Sequence, residues 1–373
     1  MSENRVLPSL TPLRGVAAFW VVLYHYNIWA SNLNLGDYLH VVEQGYLAVD
    51  LFFMISGFVM AHVYRRAIIE DLRGSYLPFL GARIARLYPL HIFVLLLFLA
   101  TALSARTAAY MATGVFKPIP LEGARSFAAL AANVFMLQGL KASALSWNYP
   151  SWSISVEFLA YLLFPPALMS IWQAPKAAKI ALAGGLVALL IYLRQLTGDH
   201  FDQWDGAETF LRCLPEFLAG ILLYDLFCSG TARRILSSNA IAMAMIAAVF
   251  ALAQTGLSDF LTVLAFALLV PVSVANEGVI TRLINIAPLI WLGEISYSLY
   301  LVHGFVQFAA KRLLAAEGID PGSLSQSHSG LLVAAMLLTS FIIAAATHAT
   351  IERAGRRRLR RVFGLARPAL AAT

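Results

Sequence analysis

Residues 46–64 read YLAVDLFFMISGFVMAHVY, an apolar run in which Asp50 is the only residue that is fully charged at neutral pH. A stretch of this length can cross a bilayer as one helix, because spanning the hydrocarbon takes roughly 17–25 residues. The whole chain of 373 residues has the same character, with 60% hydrophobic residues and 13% charged residues. We therefore interpret lipid as its solvent, which argues against a soluble enzyme, a disordered protein or a nucleic-acid-binding module.

The same criterion predicts an all-α, polytopic membrane bundle of about ten spans. One shorter segment, 125–140, is interpreted as re-entrant or interfacial, because a further crossing there would reverse the orientation of every later span. The ten predicted spans cover residues 12–30, 46–64, 82–103, 152–171, 178–194, 209–228, 239–255, 259–275, 286–309 and 330–350.

The positions of Lys and Arg predict that both termini are cytoplasmic, because basic residues accumulate on the inner side of membrane proteins. Most of the 27 basic residues then lie inside, including seven between Arg353 and Arg367, whereas Lys117, Lys311 and Arg312 go against the trend. We divide the chain into a transmembrane unit, 1–352, and a basic cytoplasmic tail, 353–373, of a kind that suits anionic lipid. The outer side receives an acidic loop with Asp199, Asp202, Asp205 and Glu208.

Ionisable residues inside predicted spans are costly in lipid, so each is a functional hypothesis beside the simpler reading of a buried pair. Arg14 and His25 are 11 residues apart, which places them on one face of the first span, about 16 Å apart along its axis. A histidine can serve as a general base at neutral pH. A hydrogen-bonded structural histidine explains the pattern equally well.

Arg83 and Arg86 are spaced to share a helix face at the cytoplasmic surface, where two guanidiniums could clamp phosphates. Anchoring by the positive-inside rule is the alternative. Ser153 and Glu157 also share a face, and Glu157 could orient a histidine or bind a sugar hydroxyl. Nearby aromatic residues fit either sugar stacking or an interfacial belt; they are Trp147, Tyr149 and Trp152.

Three further sets of polar residues lie within spans. Asp50 could pair with His25 from the neighbouring helix, and Gly45 and Gly57 on either side of it permit close helix packing. Arg212 and Glu216 are predicted to form a buried i,i+4 ion pair. In the ninth span Ser296 and Tyr300 share a face, whereas Glu294 and His303 lie on opposite faces.

The sequence contains no phosphate-binding P-loop, GxSxG elbow, HExxH, CxxC or dinucleotide fingerprint. The two cysteines, Cys213 and Cys228, indicate neither a disulfide framework nor a metal site. We therefore predict no bound metal or cofactor.

Five blocks carry a resemblance to a known family. They read, in order, SLTPLRGVAAFWVVLYHY, GYLAVDLFFMISGFVM, FLGARIARLYPLH, PSWSISVEFLAYLLFP and LGEISYSLYLVHG. The set resembles the integral-membrane acyltransferase-3 family from about residue 9 to residue 352. The usual LDGLRG opening reads LTPLRG here, so Thr11 and Pro12 stand where the family has an acid and a glycine. Some relatives carry a fused esterase-like outer domain, and we expect none here.

The resemblance implies a ten-span enzyme of the bacterial inner membrane that moves an acyl group, commonly acetyl. The donor is cytoplasmic acyl-CoA as a co-substrate, and the acceptor is a hydroxyl of an envelope or exported polysaccharide or other glycan. The family's motifs imply catalytic roles for Arg14, His25 and Glu157 and donor binding by Arg83 and Arg86. The supporting or acceptor-binding candidates are Asp50, Trp152, Ser153, Ser296, Tyr297, Tyr300 and His303.

Two other classes of function stay open from the sequence. A secondary transporter suits many spans with charges near the midplane, although no inverted repeat is evident. A non-catalytic membrane component of a polysaccharide assembly machine would tolerate loss of His25. Release of free CoA thiol separates the enzyme from both. The identity of the acceptor, the acyl chain, the side of the membrane where transfer finishes, a direct or acyl-enzyme route, and the oligomeric state are open.

Overall fold

A computed structural model of the protein describes residue 7 and residues 9–33, 35–115, 123–140, 146–197, 201, 206–230 and 233–365. These residues form helices, turns and loops, and the described part of the chain contains no β-strand. The α-helices are α1 Leu10–Trp29, α2 Leu35–Tyr38, α3 Ala48–Glu70, α4 Leu72–Thr113, α5 Phe127–Val134, α6 Trp152–Gln173, α7 Lys176–Thr197, α8 Ala207–Ser229, α9 Arg233–Leu236, α10 Asn239–Thr255, α11 Asp259–Ala275, α12 Val279–Ile284, α13 Ala287–Glu294, α14 Ser296–Ala316, α15 Gln326–Thr347 and α16 Arg353–Val362.

Short 3₁₀-helical turns and one π-helical turn lie between these helices. The segment before α3 is a 3₁₀-helix, His40–Leu47, and α15 continues into α16 through one π-helical turn, His348–Glu352. The other 3₁₀ turns are Ser31–Leu33, Gly123–Arg125, Gln138–Leu140, Tyr149–Ser151 and Pro321–Ser323.

Five helical stretches in the described chain are long and apolar enough to cross a membrane. A sixth is added if α13 and α14, which bend by 65° at their junction, count as one span. The protein is therefore all-helical with five to six membrane-capable helices. The five are His40–Glu70, Leu72–Thr113, Tyr149–Gln173, Lys176–Gln195 and Gln326–Val362.

The other predicted spans fall on helices that are shorter or more polar. The α10 and α11 helices have 17 residues each and rise about 26 Å, slightly less than a typical hydrocarbon core. The α8 helix carries Glu208, Arg212, Glu216 and Asp225. The predicted span 286–309 is not one straight helix, because the chain breaks at Ile295. A count of ten spans stays a prediction.

The segment predicted to be re-entrant or interfacial forms only a short helix. The α5 helix has eight residues and rises about 12 Å, too little to cross roughly 30 Å of hydrocarbon. Asp199, Asp202, Asp205 and Lys117, on which part of the orientation argument rests, lie outside the described residues.

The centre of the bundle is a close crossing of α3 and α8. A Cβ atom added to Gly57 would clash with the carbonyl oxygen of Phe217, and one added to Gly220 would clash with the carbonyl oxygen of Met54. Gly45 likewise lies against the backbone of Trp20. The prediction that Gly45 and Gly57 permit close packing is confirmed, and small residues allow the backbones to approach.

Gly57→Ala is expected to destabilise the protein by about 1–3 kcal/mol, because the new methyl group has to push α3 away from α8. Gly184→Ala is the matched control: Gly184 lies on α7 with nothing within 4 Å of its added Cβ. Thermal unfolding in detergent measures both variants. Equal stability of the two variants would contradict the close crossing.

A buried ionic network joins α3, α8 and α11, and it corrects two predicted pairings. Asp50 is fully buried and pairs with Arg212 of α8, whose Nε donates to Oδ1 at 2.7 Å. Asp50 therefore does not pair with His25, and the ion-pair partner of Arg212 is Asp50 rather than Glu216. Helix rotation explains both errors, because Asp50 faces α8 and Arg212 faces α3.

The same arginine also holds Phe201. Its Nη1 donates to the carbonyl oxygen of Phe201 at 2.7 Å, while the Phe201 N–H donates to Asp259 at 2.9 Å. Tyr46 donates to Asp259 at 2.9 Å. Asp50 and Arg212 thus satisfy each other's charge, while the Asp259 carboxylate accepts from a hydroxyl and a backbone N–H, as buried polar groups in lipid require.

Candidate active site

A cavity of about 610 Å³ lies between α1, α3, α4, α6, α14 and α16. Its volume is within the usual range for small-molecule sites. Along α3 the lining runs from Val49 to Ala67, a distance of about 27 Å at 1.5 Å per residue. The cavity is therefore elongated and suits a long, narrow ligand.

The cavity gathers most of the site residues that the sequence singled out. Eight of the twelve line it, and the other four (His25, His303, Asp50 and Trp152) lie outside its wall. The eight are Arg14, Arg83, Arg86, Ser153, Glu157, Ser296, Tyr297 and Tyr300. The predicted face-sharing of Ser153 with Glu157 and of Ser296 with Tyr300 is confirmed, because both members of each pair face the cavity.

The cavity is strongly cationic. Five arginines line it, and Glu157 is the one acidic side chain among the described lining residues. Glu157 attracts Arg14 and Arg83 electrostatically. The carboxylate that accompanies Arg14 is therefore on α6, which fits the replacement of the family's acid by Thr11 and Pro12 on α1 itself.

Arg14 is placed by a close contact between α1 and the bend of α13. A Cβ on the next residue, Gly15, would clash with the backbone of Gly293, and one on Gly293 would clash with the carbonyl oxygen of Thr11. The two helices therefore touch at this point, and the guanidinium of Arg14 reaches the cavity beside them.

Arg83 and Arg86 project from α4, whose first turn is capped by Asp71 accepting from the Gly74 N–H at 2.9 Å. Arg83 donates through Nη2 to the Tyr64 hydroxyl at 2.7 Å, and its Nε is buried with no partner among the described residues. Both side chains are partly buried in the wall of the cavity, and their place at the cytoplasmic surface stays a prediction.

Glu352 is a site residue that the sequence did not single out. It is 2% exposed, pairs with Arg86, and accepts from the Ser298 hydroxyl at 2.7 Å. His348, one turn earlier, lies 3.1 Å away. A lone acid followed by a run of arginines was the available signal, but nothing in the sequence relates it to Arg86.

Two pairs of hydroxyl groups line the cavity. Tyr161 donates to Glu157 at 2.6 Å, and its oxygen lies 2.8 Å from the Ser56 hydroxyl. At the deep end the Ser153 and Tyr300 hydroxyls lie 2.7 Å apart. These groups orient Glu157 towards the arginines and close the deep end of the cavity.

His25 and His303 form a stacked pair behind that deep end. Their ring centres are 5.1 Å apart, and Nδ1 of His25 lies 3.3 Å from Nε2 of His303. The same Nδ1 lies 2.9 Å from the carbonyl oxygen of Val21. Because a carbonyl oxygen only accepts, Nδ1 carries the proton and Nε2 of a neutral His25 keeps a lone pair.

The surroundings of His25 differ from those predicted. Neither Asp50 nor Glu157 orients the ring, since Asp50 pairs with Arg212 and Glu157 accepts from Tyr161. Tyr149 stands edge-on to the His25 ring, with ring centres 4.9 Å apart, and donates to Gln307 at 2.6 Å.

The Tyr300 ring connects the histidine pair to the cavity wall. Tyr300 lines the cavity, and its ring centre is 5.8 Å from that of His303. The cationic cavity and the histidine pair are thus two parts of one arrangement, with the Tyr300 and Ser153 hydroxyls at their boundary. A long anionic ligand in the cavity would present its inner end to Tyr300, which contacts His303 of the histidine pair.

Trp152 does not line the cavity, whereas the first part of the basic tail does. The Trp152 ring packs edge-on against Phe53, with the Arg212 guanidinium 5.8 Å from its centre. The first part of the tail forms α16, which packs on α4 and lines the cavity through Arg356 and Arg360. No group of three or more His, Cys, Asp or Glu side chains in the described chain is arranged to hold a metal ion.

Comparison with known proteins gives matches over nearly the whole chain. The sequence model of the acyltransferase-3 family, described as an acyltransferase domain, matches residues 7–347. The acyltransferase MdmB of Streptomyces mycarofaciens is 28% identical over 93% of this chain and 90% of its own length. No solved structure matches.

Two further relatives match in part. The O-acetyltransferase OatA of Staphylococcus aureus is 24% identical over 81% of this chain, which spans about half of the length of OatA. Protein 2 in the picA locus of Rhizobium radiobacter is 44% identical over 24% of this chain and 43% of its own length. The family match and the order of the five motif blocks agree, and the chain belongs to the acyltransferase-3 family of membrane acyltransferases.

Proposed function

We propose that this protein is an O-acyltransferase that transfers an acyl group, acetyl in the first instance, from acyl-CoA to a hydroxyl of an envelope or exported glycan. The observation that carries the proposal is the arginine-lined cavity whose deep end abuts His25 and His303. The relative OatA is named an O-acetyltransferase, which supports both the acetyl group and the oxygen acceptor.

The charge of the cavity suits the donor. Five arginines and one acidic residue, Glu157, line the cavity among the described residues, so the cavity has an excess of positive charge in a low-dielectric setting. A ligand that carries several phosphates would relieve this repulsion. Arginine binds phosphate bidentately, and Nε of Arg83 is a buried donor that phosphate can satisfy. Acyl-CoA has these phosphates at one end and its thioester at the end of a long narrow arm.

The proposed transfer is direct. Nε2 of His25 removes the proton from the acceptor hydroxyl, and that oxygen attacks the thioester carbonyl carbon. The C–S bond then breaks, the new C–O bond remains, and the departing sulfur takes the proton from His25. Arg14 holds the donor or the charge that develops during transfer, and CoA leaves as the free thiol.

The second histidine has a positioning role in this scheme. Val21 and His303 both lie at Nδ1 of His25, so they fix the ring and keep Nε2 as the basic nitrogen. Tyr300 and Ser153 stand where the thioester would arrive. Their hydroxyls are the groups that the donor has to displace or bind to reach His25.

We also propose ten spans, cytoplasmic termini and a place in the bacterial inner membrane. The apolar helices, the distribution of basic residues and the bacterial origin of the relatives support this arrangement. The glycan acceptor then comes from polysaccharide or envelope biosynthesis at that membrane, and the arginine end of the cavity opens to cytoplasmic acyl-CoA.

Arg83→Ala is expected to raise KM for acetyl-CoA at least tenfold, because a charge-assisted hydrogen bond to phosphate contributes about 1.5–3 kcal/mol. The assay supplies labelled acetyl-CoA and host glycans to membranes that contain the protein. It follows both free CoA thiol and label on the glycan. Arg282→Ala, which removes an exposed arginine of α12, is the matched control.

The two readouts separate the proposal from its rivals. Thiol release with label on a glycan is the expected result, whereas a transporter or an assembly component releases no thiol. Unchanged KM in the Arg83→Ala variant, with active wild-type protein, would contradict donor binding in this cavity.

A further inference from the structure

The C-terminal helix α16 lies along the arginine-bearing part of α4. Gly355 is packed against Pro89 near one end of α16, and Phe363 and Leu365 lie against Gly81 near the other. The two helices are therefore antiparallel over this length. The segment follows residue 347, where the match to the family ends.

The arginines of α16 divide into two faces. Arg356 and Arg360 are four residues apart, so they share one face, and both line the cavity. Arg357 and Arg358 are exposed and do not line it. A helix that served only to attract anionic lipid would not need to direct two arginines inward.

The start of α16 is fastened beside Arg86. Glu352 is buried, pairs with Arg86, and accepts from Ser298 of α14. This contact sets the rotation of the helix that follows it. Moving along α16 from Glu352 to Leu365 means moving along α4 from the region of Pro89 to Gly81, away from Tyr300 and towards the cytoplasmic end of the cavity.

The two α16 arginines that line the cavity, Arg356 and Arg360, lie near other arginines. Arg356 is close enough to Arg14, Arg83 and Arg360 for their charges to repel one another. Such repulsion inside a cavity is offset when a polyanion binds. The positive charge of Arg86 is offset by its pairing with Glu352. Arg356 and Arg360 therefore add positive charge in another part of the cavity.

We propose that α16 is a working part of the donor site, in which Arg356 and Arg360 bind the phosphate of acyl-CoA that lies farthest from the thioester. This rests on the proposed function. With the thioester at Tyr300, Arg83 and Arg86 meet the pyrophosphate. The α16 arginines then meet the 3′-phosphate of the nucleotide, which makes α16 the element that distinguishes CoA from its 3′-dephospho form.

The test compares binding of acetyl-CoA and 3′-dephospho-acetyl-CoA to the full-length protein, purified in a neutral detergent. The wild-type protein is expected to prefer acetyl-CoA by about 10- to 100-fold, the range for charge-assisted hydrogen bonds to one phosphate. The R356A/R360A variant should lose that preference, because its affinity should fall for acetyl-CoA alone. R357A/R358A removes the same charge from the exposed face of α16 and should bind both ligands like the wild type.

Several results would overturn the inference while leaving the proposed function intact. One such result is that R356A/R360A keeps the wild-type preference for acetyl-CoA. Another is that it loses affinity for both ligands equally, and a third is that its affinities match those of R357A/R358A. An effect of R356A/R360A that appears only in phosphatidylglycerol-containing nanodiscs, and not in neutral detergent, would assign α16 to lipid instead. If the wild-type protein binds neither ligand and transfers no acetyl group, the proposed function itself is wrong.

Discussion

His25→Ala is expected to lower the rate of acyl transfer by about 100- to 10,000-fold, the range that a general base contributes. The loss should fall on kcat, because His25 lies behind the cavity wall and does not line the volume assigned to the donor. Acetyl-CoA binding should therefore stay close to wild type. Labelled transfer and donor binding, measured on the same preparation, give the two quantities.

The control for this variant is His328→Ala, which removes an exposed histidine of α15. It is expected to leave both quantities unchanged. Full activity of His25→Ala in folded protein would contradict the assignment of His25 as the general base, and Glu157 would become the next candidate. His303→Ala should reduce kcat less than His25→Ala, because His303 acts on the base by positioning it.

Asp50→Ala is expected to lower the free energy of unfolding by about 3–5 kcal/mol, because it leaves the guanidinium of Arg212 buried without its carboxylate. Asp50 is 0% exposed and Arg212 is 2% exposed, so water cannot replace the lost partner. The same arginine holds the carbonyl oxygen of Phe201, and its displacement would loosen that contact too. Reversible unfolding in mixed detergent micelles measures the change.

A second acid in the same helix provides the comparison. Glu70 pairs with Arg66, and their side chains are 63% and 72% exposed. Glu70→Ala removes an ion pair from the same α3 helix and should cost less than about 1 kcal/mol, as exposed pairs do. Similar losses in Asp50→Ala and Glu70→Ala would show that the buried network does not hold α3 to α8.

Relations within one helix were predictable because the 3.6-residue period is independent of tertiary packing. Arg14 and His25, eleven residues apart, lie on one helix as expected, and Ser153 with Glu157 and Ser296 with Tyr300 face one cavity. The bend at Ile295 was missed, since the apolar pattern continues through the break and shows no change of direction.

Relations between helices were not predictable in the same way. Asp50 was placed beside His25 because their spans are adjacent in the chain, yet it faces α8, 162 residues away. Glu352 was missed because its partner Arg86 belongs to a distant helix. His303 was assigned only by resemblance, and its contact with His25 joins residues 278 positions apart.

The sequence by itself determined that this is an apolar helical protein of the acyltransferase-3 family, and it identified the residues that carry the family's motifs. Hydropathy and ordered motifs are properties of the chain alone. Only the tertiary structure decided the partners: Asp50 with Arg212, Arg86 with Glu352, His25 with His303, and α16 with the cavity. These pairings depend on how each helix is rotated and where it crosses its neighbours, which side-chain packing across the whole bundle sets.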